Sequence, residues 1–224
     1  HMDDRLLLEQ VDYARGIVTI GGKEYLLNDT NFPTIDHKDP LKLTQEEEEL
    51  LHTLDLSFRH SDLLHKHIRF LYSHGSLYLC CNSNLLYHGC IPMNQDGSFE
   101  TLIGRDGTSY SGKALMDYIS NQVQKAYFLS EGSPEREDAK DFMWYLWCGA
   151  KSPVFGKDKM TTFEHYFLAE KEVKKEVMNP YYRLCAKEEY CDKILQEFGF
   201  PLSGSHIING HVPVKIKDGE TPVK

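Results

Sequence analysis

Two short phrases constrain this chain more than any other feature: Tyr87-His88-Gly89-Cys90-Ile91-Pro92 and Asn209-Gly210-His211-Val212-Pro213. In each, an apolar run breaks at a histidine beside a glycine. Leu85, Leu86 and Tyr87 lead into His88, and Ile207 and Ile208 lead into Asn209-Gly210-His211, so each imidazole is expected at the carboxyl end of a buried strand. A strand is a rigid mount that fixes where a ring points, and the glycine after His88 lets metal and substrate approach the backbone. One strand-end histidine by itself reads most simply as a capped or surface residue. Two in matching phrases read as metal ligands, and they amount to half of a metal site.

The elements around these phrases follow from periodicity and punctuation. Gly16-Ile-Val-Thr-Ile20, Gly21-Gly22 and Glu24-Tyr-Leu-Leu27 read as a glycine-turned hairpin, preceded by a helical turn or strand at Leu6-Leu7-Leu8. Thr44 with Glu47 is a capping box that opens a helix reaching about Arg59, and the acids Glu46 to Glu49 in its first turn complement the helix dipole. A second helix runs from Ser61 to Gly75; His60, His65, His67 and His74 there read as surface and core residues, not ligands. Ser76–Cys81 and Asn84–His88 form a hairpin turned at Asn82-Ser83. Helices follow from Ser111, from Ser133-Pro134 to Gly149, from a capping box at Thr161-Thr-Phe-Glu164, and over Lys187–Phe198; His206–Gly210 is the final strand. Helices and strands mix without strict alternation, so the class is α+β.

Composition narrows the setting. A chain of 224 residues can bury about 70% of its unfolded surface. No apolar run approaches the ~18 residues of a membrane span and no signal peptide is evident, so no membrane role is expected. The six cysteines form no Cys-x-x-Cys pair, which argues against a zinc ribbon or a disulfide framework and for a reducing, cytoplasmic compartment. A net charge of -9 disfavours nucleic acid as a partner.

The phrases also carry a resemblance. His88-Gly-Cys-Ile-Pro92 and Gly210-His-Val-Pro213 resemble the fourth and fifth sequence blocks of the calcineurin-like metallophosphatases. Within that superfamily, Arg5-Leu-Leu-Leu8, Leu43-Thr-Gln-Glu-Glu-Glu-Glu-Leu50, His74-Gly-Ser-Leu-Tyr78, Trp144-Tyr-Leu-Trp147, Phe155-Gly-Lys157, Met160-Thr-Thr-Phe-Glu164, Asn179-Pro-Tyr-Tyr182 and His206-Ile-Ile-Asn-Gly-His211 are similar, in order, to the firmicute-type (class III) fructose-1,6-bisphosphatases. The superfamily's Asp-x-His, Gly-Asp-x-x-Asp-Arg-Gly and Gly-Asn-His-Asp blocks are missing, and so is the family's later Ile-Asp-Gly-Gly phrase. The chain therefore resembles an internal or carboxy-proximal piece of a longer enzyme, with His1-Met2 a tag-cleavage scar, residues 3–75 a hairpin and helical insert, and 76–224 the carboxy-terminal half of a metallophosphatase domain. By resemblance it contributes part of an α/β/β/α sandwich.

The resemblance implies hydrolysis of fructose 1,6-bisphosphate to fructose 6-phosphate and phosphate, in gluconeogenesis, at a two-metal centre that uses divalent ions such as manganese. His88 and His211 would ligate the same metal; the remaining ligands and the general acid belong to the missing blocks. An anionic bisphosphate is repelled by the chain's net charge, so its site must be locally positive. Lys157 and Lys159, after the tryptophan-bearing segment, and Arg183 are the candidates, against their plain reading as solvated loop and helix residues. The piece by itself is expected to be inactive, with its open sheet face covered by a homo-oligomer contact or by its own helices. A non-catalytic interaction or scaffold module, or another phosphatase of the superfamily, are the alternatives.

Overall fold

A computed structural model describes residues 2–223, so His1 of the His1-Met2 pair lies outside the described residues. In chain order the elements are β1 (Val11–Asp12), β2 (Ile17–Ile20), β3 (Lys23–Leu26), α1 (Gln45–Arg59), α2 (Asp62–His74), β4 (Tyr78–Cys81), β5 (Asn84–Tyr87), β6 (Leu102–Ile103), β7 (Ser109–Tyr110), α3 (Gly112–Phe128), α4 (Pro134–Cys148), α5 (Thr162–Phe167), α6 (Tyr181–Leu184), α7 (Glu188–Glu197) and β8 (His206–Asn209). This is the mixed α+β class expected. Among the described residues, no helix is long and apolar enough to cross a membrane.

The chain divides into two compact units, His1–Gly75 with Thr161–Lys175, and Ser76–Met160 with Glu176–Lys224. In the first, β1, β2 and β3 form an antiparallel meander, its β2–β3 turn made by Gly21 and Gly22 at positive φ. Its small core joins Val11, Val18 and Leu27 to Leu168 and Val173. Thr44 and Glu47 make both bonds of the capping box that starts α1. Neither α1 nor α2 buries a residue, and Leu50, Leu54, Phe58, Leu63 and Phe70 stay exposed. The second capping box does not form. Thr161 Oγ1 donates to the Lys174 carbonyl instead, and Glu164 is fully buried against Arg5, because a carboxylate inside a core needs a cation more than a helix start needs a cap.

The second unit is built on a three-stranded sheet in the order β4-β5-β8. The β4–β5 hairpin turns at Asn82 and Ser83, whose φ of 48° and 60° give the mirror-image twist that two-residue hairpins favour. β8 then adds parallel to β5, pairing Tyr87 with Asn209. Side-chain alternation splits this sheet into unlike faces. On one, Leu85 and Tyr87 are buried against Met116, Tyr181, Leu184, Ile194 and Phe198, from α3, α6, α7 and the residue closing α7, with Tyr78 and Ile207 packed on the same cluster. On the other, the register sets Leu79, Leu86 and Ile208 in one row. Leu79 is 56% exposed and Ile208 51%, so, among the described residues of the second unit, no helix covers that row. β8 is thus less buried than its isoleucines suggested, because only Ile207 faces the core.

Candidate metal centre

Parallel pairing brings the two strand ends level, and the chain leaves both strands at the same edge of the sheet. The Gly210 N–H donates to the His88 carbonyl at 3.0 Å, which carries the ladder one step past the strands. The next residue, His211, has φ +63° with a 2.7 Å bond from the Val212 N–H to the Gly210 carbonyl. A three-residue turn centred on a positive φ is rare and strained for a residue with a side chain. Its effect is to fold the His211 ring back over His88. Nδ1 of His211 lies 3.0 Å from Nε2 of His88, with ring centroids 4.9 Å apart and planes at 87°.

Gly89 has a nearer purpose than ligand access. A Cβ there would collide with the Pro153 carbonyl, and the same carbonyl accepts from the Cys90 N–H at 2.8 Å. The His88 turn is therefore locked onto the 152–156 loop, where Ser152 Oγ accepts from the Phe155 N–H. Burial, the neighbouring His88 and the charge of Lys157, in that order, lower the pKa of His211, against a hydrogen bond to the Phe155 backbone. All three favour neutral imidazole, which is the form that binds metal.

Lys157 is thus near enough for its charge to act on His211. Its Nζ is held at 2.7 Å by Glu176 and lies 5.8 Å from the centre of the Phe155 ring, and its backbone bridges Met178. Lys159 is half-buried two residues on. Arg183 is engaged elsewhere: its Nη2 donates to Gln95 at 2.8 Å. Among the described residues, no group of three or more His, Cys, Asp or Glu side chains gathers as a metal cage. What the chain brings together is two imidazoles. Two such nitrogens bound at a right angle to one ion, each at roughly 2.1 Å, stand about 3 Å apart, so the separation of the pair, though not yet the direction of its lone pairs, matches two positions in a divalent ion's shell.

Sequence comparison now decides the family, since the profile described as Firmicute fructose-1,6-bisphosphatase matches residues 1–224. The chain belongs to that family. It is 52% identical over 222 residues to a class 3 fructose-1,6-bisphosphatase of Clostridium tetani, covering 99% of this chain and 33% of the relative. It is 53% identical over 224 residues to that of Alkaliphilus metalliredigens, with 100% and 34% coverage, and 51% identical over 223 residues to that of Bacteroides fragilis, with 100% and 33%. The chain therefore spans about a third of the length of the curated fructose-1,6-bisphosphatases it matches. No solved structure matches it.

The phrases that sequence reading singled out for metal are the ones that meet. What it missed is the set of side chains between them. Tyr87, Tyr181 and Asn209 join the strand ends through bonds of 2.6 to 3.2 Å. Asn179-Pro-Tyr-Tyr182 is the available signal, which marks the resemblance and leads into the candidate Arg183 without pointing to Tyr181.

Proposed function

We propose that this chain is the histidine-bearing part of a metal-dependent fructose-1,6-bisphosphatase, which hydrolyses fructose 1,6-bisphosphate to fructose 6-phosphate and phosphate in gluconeogenesis. The observation that carries the reading is the 3.0 Å approach of His88 to His211. The relatives' names supply the substrate, and six cysteines with no Cys-x-x-Cys pair suit a reducing cytoplasm. His88 and His211 would hold one divalent ion, manganese by family resemblance, as neutral nitrogen donors. When bound, a pair of such ions supplies Lewis acidity to the phosphoryl oxygens and an activated water.

The chain's own residues do the rest of what is assigned to it. The turn at Gly210-His211-Val212 aims one ring and the Gly89–Pro153 contact fixes the other. Lys157, held by Glu176, places a positive charge beside the imidazoles for a phosphate, in a chain that otherwise repels anions. Lys159 and Arg183 are weaker candidates for the distal phosphate. The open Leu79–Leu86–Ile208 row suits a second sheet layer of an α/β/β/α sandwich, or a second copy where that layer is lacking. The chain alone, with two ligands and no bridging carboxylate, is expected to bind one ion weakly and to be inactive.

The test is His88→Ala and His211→Ala in the full-length enzyme, reading metal content and turnover of fructose 1,6-bisphosphate. Both variants should lose more than about a hundred-fold in activity, beyond the usual effect of removing a residue that only supports a ligand, and both should lose metal. Near-normal metal and activity in either would end the assignment.

A further inference from the structure

The buried face of the β4-β5-β8 sheet contains a hydrogen-bonded column that runs to the strand ends from which the histidines follow. Tyr87 Oη and Tyr181 Oη lie 2.6 Å apart inside the core, where both residues are less than a tenth exposed. Asn209 Nδ2 donates to Tyr181 Oη at 3.0 Å and to the Gly89 carbonyl at 3.2 Å. Tyr87 and Asn209 are register partners, each at the last position of its strand. Each therefore adjoins a metal-site phrase, and Tyr181 bridges the two from below.

Tyr181 is itself tightly placed. Its N–H donates to Asn179 Oδ1 at 3.0 Å, and the same oxygen accepts from the Met93 N–H at 3.1 Å. The Asn179 N–H donates to the Gly156 carbonyl at 2.9 Å. Asn179 thus ties Tyr181 to the stretch leaving His88 and to the loop carrying Lys157. The plain reading is a satisfied core tyrosine. For filling volume, however, phenylalanine serves as well, and burying a hydroxyl costs stability unless it is bonded. Here the hydroxyl's bonds go to the two strand ends.

We infer that Tyr181 is a positioning residue for the His88–His211 pair: through Asn209 and Tyr87 its hydroxyl locks the ends of β5 and β8 together, and so fixes the separation of the two imidazole nitrogens. The inference rests on the metal reading above for its purpose, but not for its geometry. Without the hydroxyl, Asn209 keeps only the Gly89 carbonyl, and the strained turn at His211 loses the support that holds its ring over His88.

The experiment uses the 224-residue chain with Zn2+ as probe and reads the histidine imidazoles by NMR, with and without metal. In the metal-free wild-type chain, the His88 and His211 rings should show the mutual hydrogen bond; in Tyr181→Phe this signature should be lost while far-UV circular dichroism is unchanged. Zn2+ affinity should fall about ten-fold, the usual scale for residues that orient ligands. Asn209→Ala, which cuts the column at the exposed strand end, should behave alike, and it decides the matter if Tyr181→Phe does not fold. A lower melting temperature with unchanged imidazole spectra and Zn2+ affinity means Tyr181 only fills the core, and overturns the inference. If wild-type imidazoles take no Zn2+, the metal reading fails while the metal-free spectra still decide the positioning role.

Discussion

Arg5 Nη2 donates to both carboxylate oxygens of Glu164, at 2.8 and 3.0 Å, and Glu164 has no exposed surface. The pair is 159 positions apart in sequence and fastens the start of the chain to α5 within the first unit. Removing the cation leaves a buried carboxylate uncompensated. Arg5→Ala should lower the stability of this unit by about 3–5 kcal/mol, whereas Arg5→Met with Glu164→Leu should recover most of it. Urea unfolding of the three chains measures this; equal midpoints for Arg5→Ala and wild type would show the pair to be dispensable.

The Lys157–Glu176 contact makes a different prediction. In the full-length enzyme Lys157→Ala should raise KM for fructose 1,6-bisphosphate about ten-fold, the scale of one charged hydrogen bond, with metal content unchanged. Glu176→Gln should leave Lys157 free to meet an anion and should tighten inhibition by inorganic phosphate. An unchanged KM in Lys157→Ala would return this lysine to the role of a loop residue.

Glu100 gives the chain a pH dependence. Burial raises its carboxyl pKa, and Lys151 together with a hydrogen bond from Asn179 offsets this only in part. A carboxyl whose folded pKa lies above its unfolded value favours the folded state at low pH, and that contribution is lost as pH rises through the folded value. Glu100→Gln should therefore raise the melting temperature at pH 7, by less than about 4 °C, and the gain should vanish below about pH 4. Thermal melts across that range check it, and a gain that grew on acidification would contradict the sign.

The Leu79–Leu86–Ile208 row predicts behaviour in solution. An exposed apolar row ending on an unpaired edge strand favours association. The isolated chain should sediment as more than a monomer at high concentration, and Ile208→Lys should return it to monomer without altering its circular dichroism. A wild-type chain that stays monomeric throughout would show that the row is tolerated in water.

Local chemistry was the legible part of this fold. The Thr44–Glu47 box, the Asn82-Ser83 turn, Gly75 as a helix stop, and the two histidine phrases each declare themselves within a few residues. What could not be read depends on distant partners. Glu164 sits three residues after Thr161, a spacing that fits a cap, and only the arrival of Arg5 reverses its role. Ile207 and Ile208 look equally buried in sequence, and the pleat with β5 separates them. The left-handed backbone at His211 has no sequence signal, since the residue that adopts it is not glycine. Tyr181 was visible as part of a phrase, but its use depends on Asn209.

The parallel pairing of β8 with β5 also sets an order of events. His88 and His211 are 123 residues apart, and closing so long a loop costs entropy that no local contact repays. During synthesis the hairpin that carries His88 emerges before β8 and before the helices that bury Leu85 and Tyr87. The His88–His211 pair is therefore expected to be among the last features of the second unit to assemble, and a nascent chain holds only one of its two imidazoles at this position until β8 docks.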